Sequence, residues 1–200
     1  MDETMVRFKG RSRWKTIIKG KPTPIGYKCY TIASNGYLLA FQVYRGKGGY
    51  QVQQDVLQHS VMELVRPWSY SNRILFFDNL YTSPALCRAL LAIGIRSCGT
   101  VRPNRRHLPP QIKKHMKTMT KGQTKAWQSK QLGCLVWCDK RSVLMLSTHC
   151  RVDEMITVTL DLGPNHLPTT IKPRVVLDYN VHKCHVDTVD QLRQYYAMQR

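Results

Sequence analysis

The 200 residues predict an α/β fold: a mixed sheet flanked by helices, with a β-rich insertion before the last helix. Three observations carry that expectation. Two strand-like runs near the start are joined by a turn signal, and an apolar strand, helix and strand follow one another in the middle. Further strand-like runs then separate a basic loop from a closing helical pattern.

Taken in order, Asp2 and Glu3 precede "MVRF", the remnant of a strand ahead of the first pair. "GYKCYTIA" and "YLLAFQVY" are joined by "SNG", so residues 27–44 read as an antiparallel hairpin. "QQDVLQHSVMELV" places Val56, Leu57, Val61, Leu64 and Val65 at helical spacing. "RILFFD" has strand length, and "TSPALCRALLAIG" reads as a helix with Ser83 as N-cap, Pro84 at its first position and Gly94 as terminator. "IRSCGTV" is the next strand, which makes residues 73–101 a βαβ unit. A basic loop, "RPNRRHLPPQIKKHMK", leads into strand-like "KAWQSKQLGCLVWC", "SVLMLSTH" and "MITVTLDL". "KPRVVLDYN" then leads into the helical segment "HVDTVDQLRQYYAMQR". The expected organisation is a first core part over 1–101, a basic, β-rich insertion over 102–175, and a return to the core over 176–200. This is the element order of a ribonuclease H-like core.

Composition narrows the function classes. The chain has 31 Lys and Arg against 12 Asp and Glu, a formal net charge of +19. Residues 4–54 hold ten Lys or Arg and no acid, and residues 79–138 hold eleven and none. Surfaces built for solubility mix both signs, so a polyanionic partner is expected, and DNA fits best. Lys9, Arg11, Arg102, Arg105, Arg106, Lys113 and Lys114 are the candidate phosphate contacts. No stretch approaches the roughly 18 apolar residues of a membrane span, and "MDETMVRFKG" lacks the apolar core of a secretory signal. The sequence therefore reads as soluble, intracellular and without a membrane partner. Seven cysteines without a framework spacing suit a reducing compartment.

Carboxylates in so basic a chain need a reason. Asp78 ends an apolar strand, and Ser83 already supplies the following helix cap. Asp187 and Asp190 lie three apart at the start of the last helix and share a face, while Asp2 sits on the first strand. Meeting at one sheet edge, such acids would repel by ~4 kcal/mol per pair at about 4 Å and an effective dielectric near 20. A divalent cation removes that cost. Mg²⁺ or Mn²⁺ prefers carboxylate oxygens, and two ions together stabilise both the attacking and leaving oxygens of a phosphodiester displacement.

"DETMVRFKGRS", "KPTPIGYK", "GYLLAFQVYRGK", "FFDNLYTS", "GTVRPNRR" and "YNVHKCHVDTVDQL", in that order, resemble the catalytic domain of piggyBac transposases and the domesticated proteins derived from them. The resemblance implies a ribonuclease H-like DDE core that cuts DNA strands and joins ends at TTAA targets with two Mg²⁺ or Mn²⁺ ions. Matched residue by residue, Asp2, Asp78 and Asp187 are its three acids and Asp190 the further acid of the last motif. It also implies nuclear localisation, helped slightly by "KGRSRWK", and a homodimer formed through regions outside these residues. Two departures stand out. The first strand is cut short before Asp2, which predicts a destabilised, truncated or domesticated copy, and Cys184 and His185 replace two glycines. A backbone needing Gly there would be strained or locally different.

Simpler roles compete for the same residues. Asp78 could bond the next loop, Asp187 could be the N-cap of the last helix, and Asp2 could belong to a frayed end. Zinc is not expected: Cys134 and Cys138 are spaced about 13 Å along a strand, too far for one ion, and "HKCH" at 182–185 has no partner pair. Trp137 is expected in the core, while Trp127 is open to base stacking. A non-catalytic, transposon-derived DNA-binding or scaffold protein is the alternative to an enzyme.

Overall fold

The computed structural model describes residues 1–46, 55–159 and 169–196, and they form two compact units, one of residues 1–68 with 182–200 and one of residues 69–181. The expected divisions at 101 and 175 differ from this boundary. Each unit has its own sheet.

In the first unit, β3 (Ile25–Ser34) is the organising strand. β1 (Asp2–Arg7) runs antiparallel along one edge, from Asp2 opposite Thr31 to Arg7 opposite Gly26. The other edge is shared by β2 (Lys15–Ile17), against residues 25–27, and β4 (Tyr37–Val43), against residues 29–34. The expected hairpin is present. Its turn places Asn35 at φ 48° and Gly36 at φ 78°, the pair of positive angles that lets a two-residue connection match the twist of its strands. Consecutive residues Cys29 to Ile32 are all buried, so both faces of β3 are covered at mid-strand.

Helix α1 (Val56–Val65) begins where the Asp55 carboxylate accepts from Gln58 N at 3.3 Å, and it buries Ser60, Val61, Leu64 and Val65. The first residues of the predicted segment, 53 and 54, lie outside the described residues. Helix α5 (His185–Tyr195) packs against β3, β1 and β4. Of the predicted closing helix, residues 197–200 lie outside the described residues.

The second unit holds the predicted βαβ element: β5 (Ile74–Phe77), α2 (Pro84–Ala92) and β6 (Arg96–Thr100), with β5 and β6 parallel and Phe77 opposite Gly99. Ser83 Oγ accepts from Leu86 N at 3.1 Å, Pro84 opens the helix, and Gly94 follows it at φ 70°, as expected. Replacing Ser83 with Ala is expected to cost about 1 kcal/mol through an orphaned N–H, read as a lower urea midpoint with an unchanged m-value; an unchanged midpoint would show the cap to be idle.

The basic loop differs from expectation. Its second half is helix α3 (Ile112–Thr118), which has no side-chain cap and buries Ile112. β7 (Thr124–Ser129), β8 (Leu132–Cys138) and β9 (Ser142–Ser147) join the first two in one five-stranded mixed sheet, ordered β5-β6-β9-β8-β7. The link is the antiparallel pairing of β9 with β6, Cys98 opposite Ser147. All seven residues of β8 are buried. β10 (Met155–Thr159) and β11 (Thr169–Pro173) pair as a separate hairpin, and the end of predicted "MITVTLDL", residues 160–162, lies outside the described residues. Helix α4 (Arg174–His182) follows, its Val175 and Val176 buried with Cys98, Leu135, Trp137, Met145 and Val152. This is a ribonuclease H-like α/β fold.

Candidate metal and nucleic-acid site

Three of the four candidate acids belong to the first unit, and α5 organises them. Arg193 donates to the carbonyl of Met5 on β1 at 2.8 Å and to Asp190 Oδ1 at 3.2 Å, so one guanidinium ties the helix to the strand and to its own preceding turn. Asp190 in turn senses the hydroxyl of Thr4. Asp187 lies three positions, about 4.5 Å, before Asp190 along the helix. Asp2 and Thr4 lie two apart and so share a face of the strand.

The electrostatics match this placement. Burial pushes the Asp190 carboxyl above its ordinary range; Arg193, the Thr4 hydroxyl and Lys21 oppose the shift, and the charge of Asp187 adds to it. Burial also raises the Cys29 thiol, opposite Thr4 in the β1–β3 ladder, and that thiol feels both Arg193 and Asp190. Because folded Asp190 holds its proton more tightly than the unfolded chain does, it adds stability in acid. That contribution is complete below the unfolded value of about 3.9 and is lost as pH rises through the raised folded value. Asp190→Asn is therefore expected to flatten this part of the metal-free melting-temperature profile. A profile parallel to the wild type would contradict the assignment.

Asp187 is not the N-cap. Cys184 occupies that position without a side-chain cap bond, and Asp187 lies in the first turn, where its charge complements the helix dipole. The residues standing for the glycines adopt ordinary backbone: Cys184 has φ −92°, and His185 begins the helix. The connection between α4 and α5 is thus locally different without positive-φ strain. Asp2 is part of β1 and half-buried, and its Oδ1 accepts from Glu3 N at 2.7 Å.

Asp78 lies in the second unit, directly after β5. Its Oδ1 accepts from Leu80 N at 3.0 Å, and its carbonyl accepts from Thr82 N at 3.2 Å and Thr82 Oγ1 at 2.6 Å. An Asx turn therefore fixes the carboxylate at the strand end. The bond to the next loop, weighed as the simpler role, is present.

Two of the basic candidates surround this turn. Arg102 Nε donates to Asn79 Oδ1 at 2.9 Å, and Arg105 Nη2 donates to the carbonyls of Asn79 and Leu80. Arg105 is half-buried, so its guanidinium clamps the Asp78 loop as well as adding charge beside it. Arg102, Arg106, Lys113 and Lys114 are exposed, as are Lys9 and Arg11 between β1 and β2. Trp137 is in the core, while Trp127 is half-buried and tilted against His115 of α3 at 5.6 Å. Cys134 is buried, which pushes its thiol up to about 12.

The acids of the first unit suit a hard divalent cation. They offer carboxylate oxygens, and Asp190 is held proton-rich by burial and by Asp187. Asp2, Asp187 and Asp190 would be its ligands, although among the described residues their ligand atoms do not gather within 4.8 Å of one another.

One further group was not anticipated from the sequence. Ligating atoms of His149, Cys150 and Asp178 all lie within 4.8 Å of one another. His149 and Cys150 are adjacent and Asp178 is 28 positions on, a separation that matches no ligand spacing.

The ribonuclease H-like fold carries acids on β1, directly after β5 and on α5. The family model described as transposase IS4, of the DDE class, matches residues 1–200. PiggyBac transposable element-derived protein 3 of Homo sapiens is 36% identical over 110 residues, 50% of this chain and 18% of that protein. PiggyBac transposable element-derived protein 2 of Homo sapiens is 25% identical over 205 residues, 94% of this chain and 34% of that protein. A cryo-EM structure of a piggyBac transposase synaptic complex with hairpin DNA contains a chain that matches with a TM-score of 0.82 and 28% identity, covering 100% of this chain and 40% of that one. The chain belongs to the piggyBac-type DDE transposase family. It spans between 18% and 40% of the length of these relatives.

Proposed function

We propose that this chain is a metal-dependent DNA strand-cleaving and strand-joining core of the piggyBac type, acting on TTAA targets in the nucleus. Asp2, Asp78, Asp187 and Asp190 are its metal ligands. The observation that supports the reading is the Arg193 bond that ties α5, which bears Asp187 and Asp190, to β1, which bears Asp2. For Asp78 the support is family membership and the turn that fixes its carboxylate. Two Mg²⁺ or Mn²⁺ ions, when bound, supply charge for the oxygen that attacks and the oxygen that leaves in a phosphodiester displacement.

Arg102, Arg106, Lys113 and Lys114 contact phosphates, as do Lys9 and Arg11, and Arg105 holds the Asp78 loop. DNA is the partner, as the relative in the synaptic complex with hairpin DNA supports. A homodimer would form through regions outside these residues. The test is nicking of plasmid DNA with Mg²⁺ or Mn²⁺, with Asp187→Asn as the control. Loss of nicking in the control and in chelator supports the reading; nicking by the control at the wild-type rate overturns it.

One observation favours a second reading. The Arg193 guanidinium pairs with Asp190, putting a fixed positive charge where an ion's ligand is needed. A non-catalytic, transposon-derived DNA-binding or scaffold protein would keep that pair. It predicts metal-independent DNA binding with a logarithmic salt slope of about −0.9 per phosphate contact.

A further inference from the structure

We propose that His149, Cys150 and Asp178 form a binding site for a divalent transition-metal ion, with zinc the ion their chemistry selects, separate from the hard-cation acids described above. The three ligating atoms lie within 4.8 Å of one another, and His149 Nε2 is 3.0 Å from Asp178 Oδ2. Tetrahedral zinc with bonds of about 2.0–2.3 Å needs ligand atoms roughly 3.3–3.6 Å apart. The nitrogen and oxygen are already close to that edge length, and the sulfur reaches it by a shift of about 1 Å.

The surroundings hold the ligands in place. Ser147 Oγ at the end of β9 accepts from His149 N at 3.1 Å and from Cys150 N at 3.4 Å, fixing the turn that carries both side chains. Phe76 of β5 meets the imidazole edge-on, with ring centroids 6.2 Å apart. Asp178 projects from α4, whose first residues are buried in the core with Cys150 packed against the same cluster. The ion would therefore clip the exit of β9 to α4 within the second unit, and would hold together segments 29 positions apart in the chain.

Charge and softness agree. A thiolate and a carboxylate balance the two charges of the ion. Arg174, whose Nε is 3.7 Å from Asp178 Oδ2, has its Nη1 taken by Glu154 at 2.9 Å, so that pair adds no net charge. One sulfur, one imidazole nitrogen and one oxygen favour zinc or cobalt over Mg²⁺ or Ca²⁺. His149 and Cys150 also line an open groove of about 640 Å³ rimmed by Arg96, Lys130 and Arg151, so the fourth position faces water. Binding through the thiolate releases the thiol proton of Cys150.

The competing sulfur is Cys184, which is exposed between His182 and His185. The experiment therefore uses the full chain carrying Cys184→Ser, stripped with chelator and titrated with Co²⁺. The expected result is a thiolate-to-cobalt charge-transfer band that saturates at one equivalent, disappears when Cys150→Ser is added and persists when Asp78→Asn is added. A band that survives Cys150→Ser, or no band in the Cys184→Ser chain, overturns the proposal. Should Cys150→Ser unfold the chain, X-ray absorption of the cobalt-loaded Cys184→Ser chain decides: one sulfur neighbour supports the site, and purely nitrogen and oxygen coordination refutes it.

Discussion

Asp78→Asn is expected to abolish Mg²⁺-dependent DNA nicking while leaving the melting temperature within about 2 °C of wild type. The physical reason is that the residue has two separable roles. Its Oδ1 accepts from Leu80 N, and an asparagine carbonyl oxygen in the same place accepts that bond equally well. What asparagine lacks is the charge that a hard cation requires. Loss of activity should exceed the roughly 10–100-fold cost of disturbing a ligand's outer partner. Asp78→Ala makes a useful contrast, because it removes the turn's acceptor as well, at a further cost of about 1 kcal/mol in stability. Equal nicking by the wild type and Asp78→Asn would remove Asp78 from the chemistry and leave it as a turn residue.

The largest stability effect is expected at Gly99. A Cβ there would stand 2.3 Å from the Phe77 carbonyl oxygen, 2.6 Å from Thr82 Oγ1 and 2.8 Å from Phe77 Cδ2. Phe77 O and the Thr82 hydroxyl are not floppy ends that can step aside. The former belongs to the β5 partner of Gly99, and the latter is bonded to the Asp78 carbonyl. Gly99→Ala must spread β5 from β6, at a cost of about 1–3 kcal/mol by analogy with overpacked cores. For a chain of this size that lowers the melting temperature by roughly 2–12 °C. The same movement displaces the Asp78 turn, so nicking should fall more steeply than the folded fraction. A melting temperature equal to wild type would show that the strands have room the geometry denies them.

Local chemistry made much of the fold legible. Asn35-Gly36 announces its hairpin, and Ser83, Pro84 and Gly94 mark both ends of α2 because each acts on its own few residues. Helix α3 was hidden for the converse reason: it follows Pro109 and Pro110, has no capping side chain, and buries one residue, Ile112. The break between α4 and α5 at Lys183 and Cys184 carries neither proline nor glycine. That β7, β8 and β9 extend the β5–β6 sheet depends on the pairing of Cys98 with Ser147, a contact across 49 positions that no local period encodes.

The candidate sites divide in the same way. Asp187 and Asp190 were readable as neighbours from helical spacing. That their helix is tied to the strand bearing Asp2 rests on the bond of Arg193 to Met5, which has no spacing signature. Arg102 and Arg105 were chosen for charge alone, and their hold on Asn79 and Leu80 emerges only from the folded loop. His149, Cys150 and Asp178 come together through tertiary structure, with Ser147 and the first turn of α4 supplying what the sequence leaves unstated.

Mn²⁺ binding by the acids of this chain is measurable by titration calorimetry of the folded wild type and of Asp78→Asn, with circular dichroism to show that both remain folded. The wild type is expected to bind Mn²⁺, and Asp78→Asn to lose that binding or weaken it markedly. Identical binding by both, or a folded wild type that binds DNA but no Mn²⁺, would contradict that expectation and leave the non-catalytic reading in its place.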